Sequence, residues 1–339
     1  MPTFKKQMRL GLCLMALVGT TAWASEASND AAASAPVAVA TPQPDWHFDE
    51  SDHVVIPFNL VNNRIIISAV INGKANQKLI FDTGSRLLID SSALADPGAT
   101  AQTSLQVSGL GGGKQDAGRV SGLDITLGNL HINRQVALSA DISRIGETDA
   151  IGWIGTDLLS KFVVSINFDT QQLTLSRPDT FHYDGSARAI PLRWRSHHLL
   201  AKAAFDKGAE GEWVLSTGAS NNVLVGSAFV QQFDLFNRLT TTREYRTGEG
   251  VGGYLFGRSA TVETFQFGGY AMPPIGAALS SMKSGGLAND KVAGNIGIGV
   301  LKRFNITLDA PHKVLYLQPN THFHDADDFA IPARALHQG

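Results

Sequence analysis

An apolar run, Leu79-Ile80-Phe81, ends in Asp82-Thr83-Gly84-Ser85. A carboxylate held on a glycine turn can orient and deprotonate a water, provided a second group protonates the electrophile. The frame returns later as Val214-Leu215-Ser216-Thr217-Gly218-Ala219, with Ser216 standing where the second carboxylate would be. A serine hydroxyl can hold a water, but it is far too weak an acid to share a proton as a carboxyl does. Two other carboxyl groups, Asp206 and Glu212, lie near in sequence. They are expected towards the strand ends, away from the centre. Arg86, just beyond the first turn, either neutralises Asp82 or reaches solvent.

The remaining chemistry-bearing patterns are weaker. Gly248-Glu249-Gly250-Val251-Gly252-Gly253 has G-x-G-x-x-G spacing, but no apolar strand precedes it and no helix follows, as a dinucleotide site requires. Ser280-Ser281-Met282-Lys283 lacks the partner motifs of a Ser/Lys hydrolase. The single cysteine, Cys13, excludes an intrachain disulfide and a cysteine-built metal centre. His197-His198 reads as a surface turn. His322-Phe323-His324-Asp325 reads as exposed tail without a third ligand. Trp153, Trp194 and Trp213 read as core or cleft wall.

The elements that must position the two turns come in duplicate. Ile56-Pro57 precedes Asp82-Thr83-Gly84 by the same interval as Ile190-Pro191 precedes Ser216-Thr217-Gly218. Gly152-Trp153-Ile154-Gly155 aligns with Gly294-Asn295-Ile296-Gly297, and Leu159 and Phe162 with Leu301 and Phe304. Two lobes are expected, over 52–180 and 187–320. Within them, Ile65, Ile66, Ile67, Ala69 and Ile71 predict a strand, Asn72-Gly73 a tight turn, and Leu79 to Phe81 the return. Val163 to Phe168 and Gln172 to Ser176 predict a hairpin, preceded by a short helix capped near Thr156-Asp157. Glycine-rich segments at matching places, with Gly111 and Gly112 in one lobe and Gly252 and Gly253 in the other, suit mobile hairpin flaps.

Composition agrees with a folded, β-rich protein. Hydrophobic residues make up 43% and charged residues 17% of the 339 residues, enough apolar material for a core. Lys and Arg (28) nearly balance Asp and Glu (30), which excludes a polybasic nucleic-acid binder. At the amino terminus Lys5, Lys6 and Arg9 precede a short apolar run, and Ala22-Trp23-Ala24 forms a cleavage signature. Residues 1–24 are therefore expected to be an export signal, placing the protein in a bacterial periplasm or outside the cell. The apolar run is too short to span a membrane. Residues 25–51 are expected to form a flexible Ala/Pro/Ser-rich linker, and 321–339 a tail.

The apolar strand before Asp82-Thr83-Gly84-Ser85, the flap after it, the element from Ile154-Gly155 to Leu158-Leu159 and the second copy together resemble the retropepsin-like and pepsin-like aspartic peptidases. The resemblance implies an all-β fold with few short helices, two lobes, a central cleft and two flaps. It implies that Asp82 is the catalytic carboxylate, with Thr83, Gly84, Ser216, Thr217 and Gly218 supporting the turns, and that the ligand is an extended polypeptide. No metal or cofactor is implied, because paired carboxylates alone activate water in this family. Ser216 departs from the pattern, so hydrolysis by the single chain is expected to be absent or severely reduced. Retroviral-type relatives are homodimers; by the same device two chains would bring two copies of Asp82 together.

Overall fold

The computed structural model describes residues 45–94, 104–142, 148–327 and 329. The expected export signal lies outside the described residues. Of the stretch 25–51 expected as linker, residues 25–44 lie outside the described residues, and Trp46–Phe48 is a strand paired with Leu130–Ala140. Phe48 is buried, and Trp46 packs edge-on against Phe162. Two aromatic residues in a small-residue stretch are enough to dock the chain.

The first lobe begins as an antiparallel meander of His53–Val61, Arg64–Ile71 and Lys74–Asp82. Its tight turns are made by Asn62 and Asn63, and by Asn72 and Gly73. All four residues have positive φ, the left-handed geometry that matches hairpin twist. Phe81 is fully buried and delivers Asp82 to the end of its strand. Gly152–Gly155 then pairs parallel to that strand, Phe81 against Ile154 and Asp82 against Gly155. Leu88–Asp90, which follows the turn, pairs antiparallel on its other side. The Asp82 turn is thus clamped between two strands that both contact Gly152–Gly155.

The second lobe repeats this arrangement. Ala209–Leu215 carries Ser216, and Gly294–Ile296 pairs parallel to it, Leu215 against Ile296. Val223–Val225 returns antiparallel to Gly294–Ile296. The short helices Thr156–Leu159 and Ile298–Leu301 follow the two glycine-bearing strands. Contrary to expectation, Thr156 and Asp157 lie inside the first helix. Gly155 occupies its N-cap without a side-chain bond, and the Asp157 carboxylate instead accepts the Leu87 backbone N–H. Asp157 thereby ties the helix to the chain leaving the active turn.

The lobes share a sheet. Val163–Asn167 and Gln172–Ser176 of the first lobe lie beside Phe304–Asp309 and Val314–Pro319 of the second. At the seam Ser165 faces Thr307, their hydroxyls 3.1 Å apart. One apolar cluster runs through both lobes, from Ile65 and Phe81 to Trp213 and Phe304. The tail is partly built in: the buried Arg303 guanidinium donates to the carbonyls of Phe323 and Asp325 at 2.9 and 2.8 Å. Among the described residues no helix is long and apolar enough to cross a membrane.

Candidate active site

The two glycine turns meet at the centre of the molecule. Thr83 Oγ1 donates to Leu215 O (2.8 Å) and accepts from the Thr217 N–H (3.1 Å). Thr217 Oγ1 donates to Phe81 O (2.9 Å) and accepts from the Thr83 N–H (3.1 Å). All of these groups are buried. The interlock therefore satisfies two N–H groups and two carbonyls that water cannot reach.

On this base sits Asp82, only 6% exposed. Its Oδ1 accepts from the Gly84 N–H at 2.8 Å, the Gly218 N–H at 2.9 Å and Ser216 Oγ at 3.0 Å. Its Oδ2 accepts from Ser85 Oγ at 2.6 Å. Four donors from both lobes hold one carboxylate. Gly218 must be glycine, since a Cβ there would lie 2.4 Å from the Asp82 carboxyl carbon. At Gly84 a Cβ would lie 2.9 Å from Ser216 Oγ.

Among the described residues no other carboxylate fills the missing place. Asp206 pairs with Arg238 at 2.8 Å, in the turn before Ala209–Leu215. Glu212 lies within that strand, not at its end, and pairs with Arg193. Arg86 is exposed. A homodimer joined at Asp82 finds no support either, because the surface it needs is occupied by the interlock of Thr83 with Thr217.

Both flaps are hairpins. In the first lobe Ser104–Val107 and Gln115–Leu127 flank the glycine loop, and in the second Tyr245–Gly250 pairs with Gly253–Val262. Their tips touch: the Gly111 N–H donates to Val251 O (3.1 Å) and the Gly113 N–H to Gly252 O (2.9 Å). Ser284 Oγ donates to Gly112 O at 3.0 Å, and the Gly286 N–H to Gly109 O at 2.8 Å. Leu110 packs with Leu224, Leu255 and Leu287 of the second lobe. Backbones meet this closely only because Gly111 has no side chain; its Cβ would lie 2.5 Å from the Gly252 carbonyl carbon. Gly252 and Gly253 have φ of +90° and +108°, which turn the second tip.

His198 belongs with the site, although its sequence setting suggested a surface turn. Ser196 and His197 form the turn, and His198 opens the strand His198–Phe205. It is open to solvent on one side, yet the protein crowding its other side desolvates the ring. That burial holds the imidazole below its ordinary value, against the raising pull of the Asp82 carboxylate; His197 lowers it further, and a hydrogen bond with the Gly84 backbone raises it. The matching turn of the first lobe also crosses over, Asn63 Nδ2 donating to Ser220 O at 3.4 Å. Alignment of His198 with Arg64 was the signal that could have revealed this reach. Trp153 is buried against Ile66, Ile80 and Ile142, and Trp213 is fully buried, so both are packing residues. Trp194 is half-buried and donates to Ala310 O at 3.1 Å.

Comparison with solved structures matches this arrangement. The crystal structure of aspartic proteinase from Irpex lacteus is similar over 81% of this chain and 99% of that chain, at 15% identity and a TM-score of 0.52. The fold is that of a bilobal aspartic proteinase. Residues 67–158 match the sequence model of the family described as Aspartyl protease. That match spans the Asp82 turn, the first flap and the Gly152–Gly155 strand of the bilobal proteinase fold. Basic 7S globulin from soybean is also similar, over 82% of this chain and 100% of that chain, at 10% identity and a TM-score of 0.45. A search of curated protein sequences finds no match to the chain.

Proposed function

We propose that this chain is an exported peptidase-like protein that holds an extended polypeptide beneath its two flaps and does not run two-carboxylate hydrolysis. The observation that carries the reading is the asymmetric set around Asp82. Where a dyad would place a second carboxyl, the Ser216 hydroxyl donates to Asp82 Oδ1 at 3.0 Å. Dyad chemistry needs one group to take a proton from water while its partner gives one to the scissile carbonyl. Ser216 cannot alternate between those roles. Also, the Gly218 N–H, on the turn that would carry the second carboxylate, is bound to Asp82 instead. The binding apparatus remains: the outer flap strands Ser104–Val107 and Tyr245–Gly250 each end a sheet, and such an edge can add an extended peptide as a further strand, with alternate side chains entering pockets.

The test separates binding from cleavage. Labelled unfolded protein is offered to wild type, to Asp82→Asn, and to a flap-locked form, Gly112→Cys/Ser284→Cys in a Cys13→Ser background. A Cβ at Gly112 would lie 2.7 Å from Ser284 Oγ, close enough for a disulfide. Wild type and Asp82→Asn should bind alike and cleave at the same negligible rate, and the oxidised locked form should lose binding until reduced. Cleavage by wild type that Asp82→Asn abolishes would establish a working peptidase. Equal binding by the locked form would remove the cleft from the account.

A further inference from the structure

We infer that His47, Asp49 and His131 form a surface site for a divalent ion of the zinc class, clipping the leading strand to the first lobe. The site is separate from the Asp82 cleft. In sheet order, Gly152–Gly155 and Leu88–Asp90 lie between the Asp82 strand and the strand that carries His131.

The backbone assembles the three groups. Trp46–Phe48 pairs antiparallel with Leu130–Ala140, and the register sets His47 directly opposite His131. Opposed residues share a face with Cβ atoms about 4.5–5.5 Å apart. Asp49 lies two residues beyond His47 and so faces the same way; its own N–H donates to Asn129 O at 3.0 Å, continuing the ladder. Phe48 points the opposite way and is buried, which fixes the strand's orientation.

The side chains are already gathered. One ligand atom from each lies within 4.8 Å of the others. His131 Nε2 is 3.1 Å from Asp49 Oδ2, and His47 Nε2 is 3.8 Å from Asp49 Oδ1. The imidazoles are stacked, centroids 4.8 Å apart and planes within 11°. A tetrahedral ion with bonds of about 2.0–2.1 Å sets its ligand atoms roughly 3.4 Å apart. Both His–Asp separations bracket that value, and the exposed His47 ring can rotate to complete the set. His131 Nδ1 lies 3.3 Å from Thr126 Oγ1. Such a partner fixes the ring and leaves Nε2 for a metal, the usual outer support of a histidine ligand. Two imidazoles with one carboxylate suit zinc and its late transition neighbours, whereas magnesium and calcium call for mostly oxygen ligands. Water would complete the coordination.

The consequence is mechanical. The leading strand has only three residues, and an ion bridging it to Leu130–Ala140 would fasten the point where the preceding chain meets the lobe. The experiment uses the full chain after chelator treatment, without an affinity tag. Zn²⁺ is added in a calorimetric titration and in thermal unfolding, with Ca²⁺ in parallel. Wild type should bind one Zn²⁺ and gain about 5 °C in midpoint at a hundredfold excess over Kd, with no response to Ca²⁺. His47→Ala and His131→Ala should each weaken Zn²⁺ binding by more than the roughly 10–100-fold that loss of an outer-shell partner costs. Asp49→Asn keeps the shape of the site and covers the case in which an alanine variant fails to fold; it too should weaken binding. No 1:1 binding by wild type would overturn the proposal, as would unchanged binding in the folded variants, which would assign the ion to other histidines.

Discussion

The turns Asp82-Thr83-Gly84-Ser85 and Ser216-Thr217-Gly218-Ala219 are alike in the middle and different at both ends. Their threonines make reciprocal bonds, atom for atom. Their outer positions do not match: the first turn has a carboxylate and the hydroxyl that supports its Oδ2, while the second has a hydroxyl and a methyl. What joins the lobes has been kept, and what would make the second turn an acid is absent at both places. Structure and chemistry at this centre are therefore separable, because the threonine hydroxyls bond backbone groups of the opposite turn and need nothing from the acids above them.

The strongest test is to make the turns alike. Ser216→Asp with Ala219→Ser would supply the second carboxyl and its supporting hydroxyl. Cleavage of unfolded protein at acid pH should rise by about 10²–10⁴ over wild type, the range of general acid–base assistance. Ser216→Asp alone should gain less. If the double variant folds and stays silent, the remainder of the site is also unfit for hydrolysis.

Next come the glycines. Gly218→Ala drives a methyl into a carboxylate that four donors hold still, so it should cost about 3 kcal/mol in denaturant unfolding. Gly84→Ala meets the Ser216 side chain at 2.9 Å and Asp82 Oδ1 only at 3.3 Å, and should cost about 1 kcal/mol. Equal losses would show that Asp82 is not held more firmly than Ser216.

The threonines test the likeness itself. Thr83→Val and Thr217→Val each strand a buried carbonyl and a buried N–H, and each should destabilise by about 2 kcal/mol. The double variant should fall short of the sum, since the pair shares one network. Unequal single losses would break that symmetry.

The smallest effect concerns His198. Its folded imidazole titrates below its unfolded value of about 6.5. Below that pH the unfolded chain binds the proton more readily, so the residue's contribution is complete above about 6.5 and is lost as pH falls through the lower folded value. His198→Gln should therefore flatten the decline of unfolding free energy on the acid side of 6.5. An unchanged slope would place His198 outside the influence of the cleft.

Much of the fold was legible because it rests on local periodicity. The alternation around Ile65 to Ile71, the Asn72-Gly73 turn and the hairpin from Val163 to Ser176 are short-range patterns, and each forms where it was expected. The leading strand was missed because a three-residue strand is too short for a periodic signal, and only pairing with Leu130–Ala140 makes it one. The Thr156-Asp157 cap was misplaced because Asp157 found a better donor at Leu87, a partner distant in sequence.

By itself the sequence determined which residue types stand at the two turns: one carboxylate, two serine hydroxyls, one methyl, two threonines and two glycines. It also determined, through strand and glycine spacing, that two similar lobes would carry them. Tertiary structure decided what these residues face. The sharing of Gly218 N–H with Asp82, the closure of flap on flap, the reach of His198 to the opposite turn and the register that sets His47 against His131 all join residues far apart in the chain. Such contacts depend on how whole sheets stack and cross, a property of distance in space that no local pattern of side chains encodes.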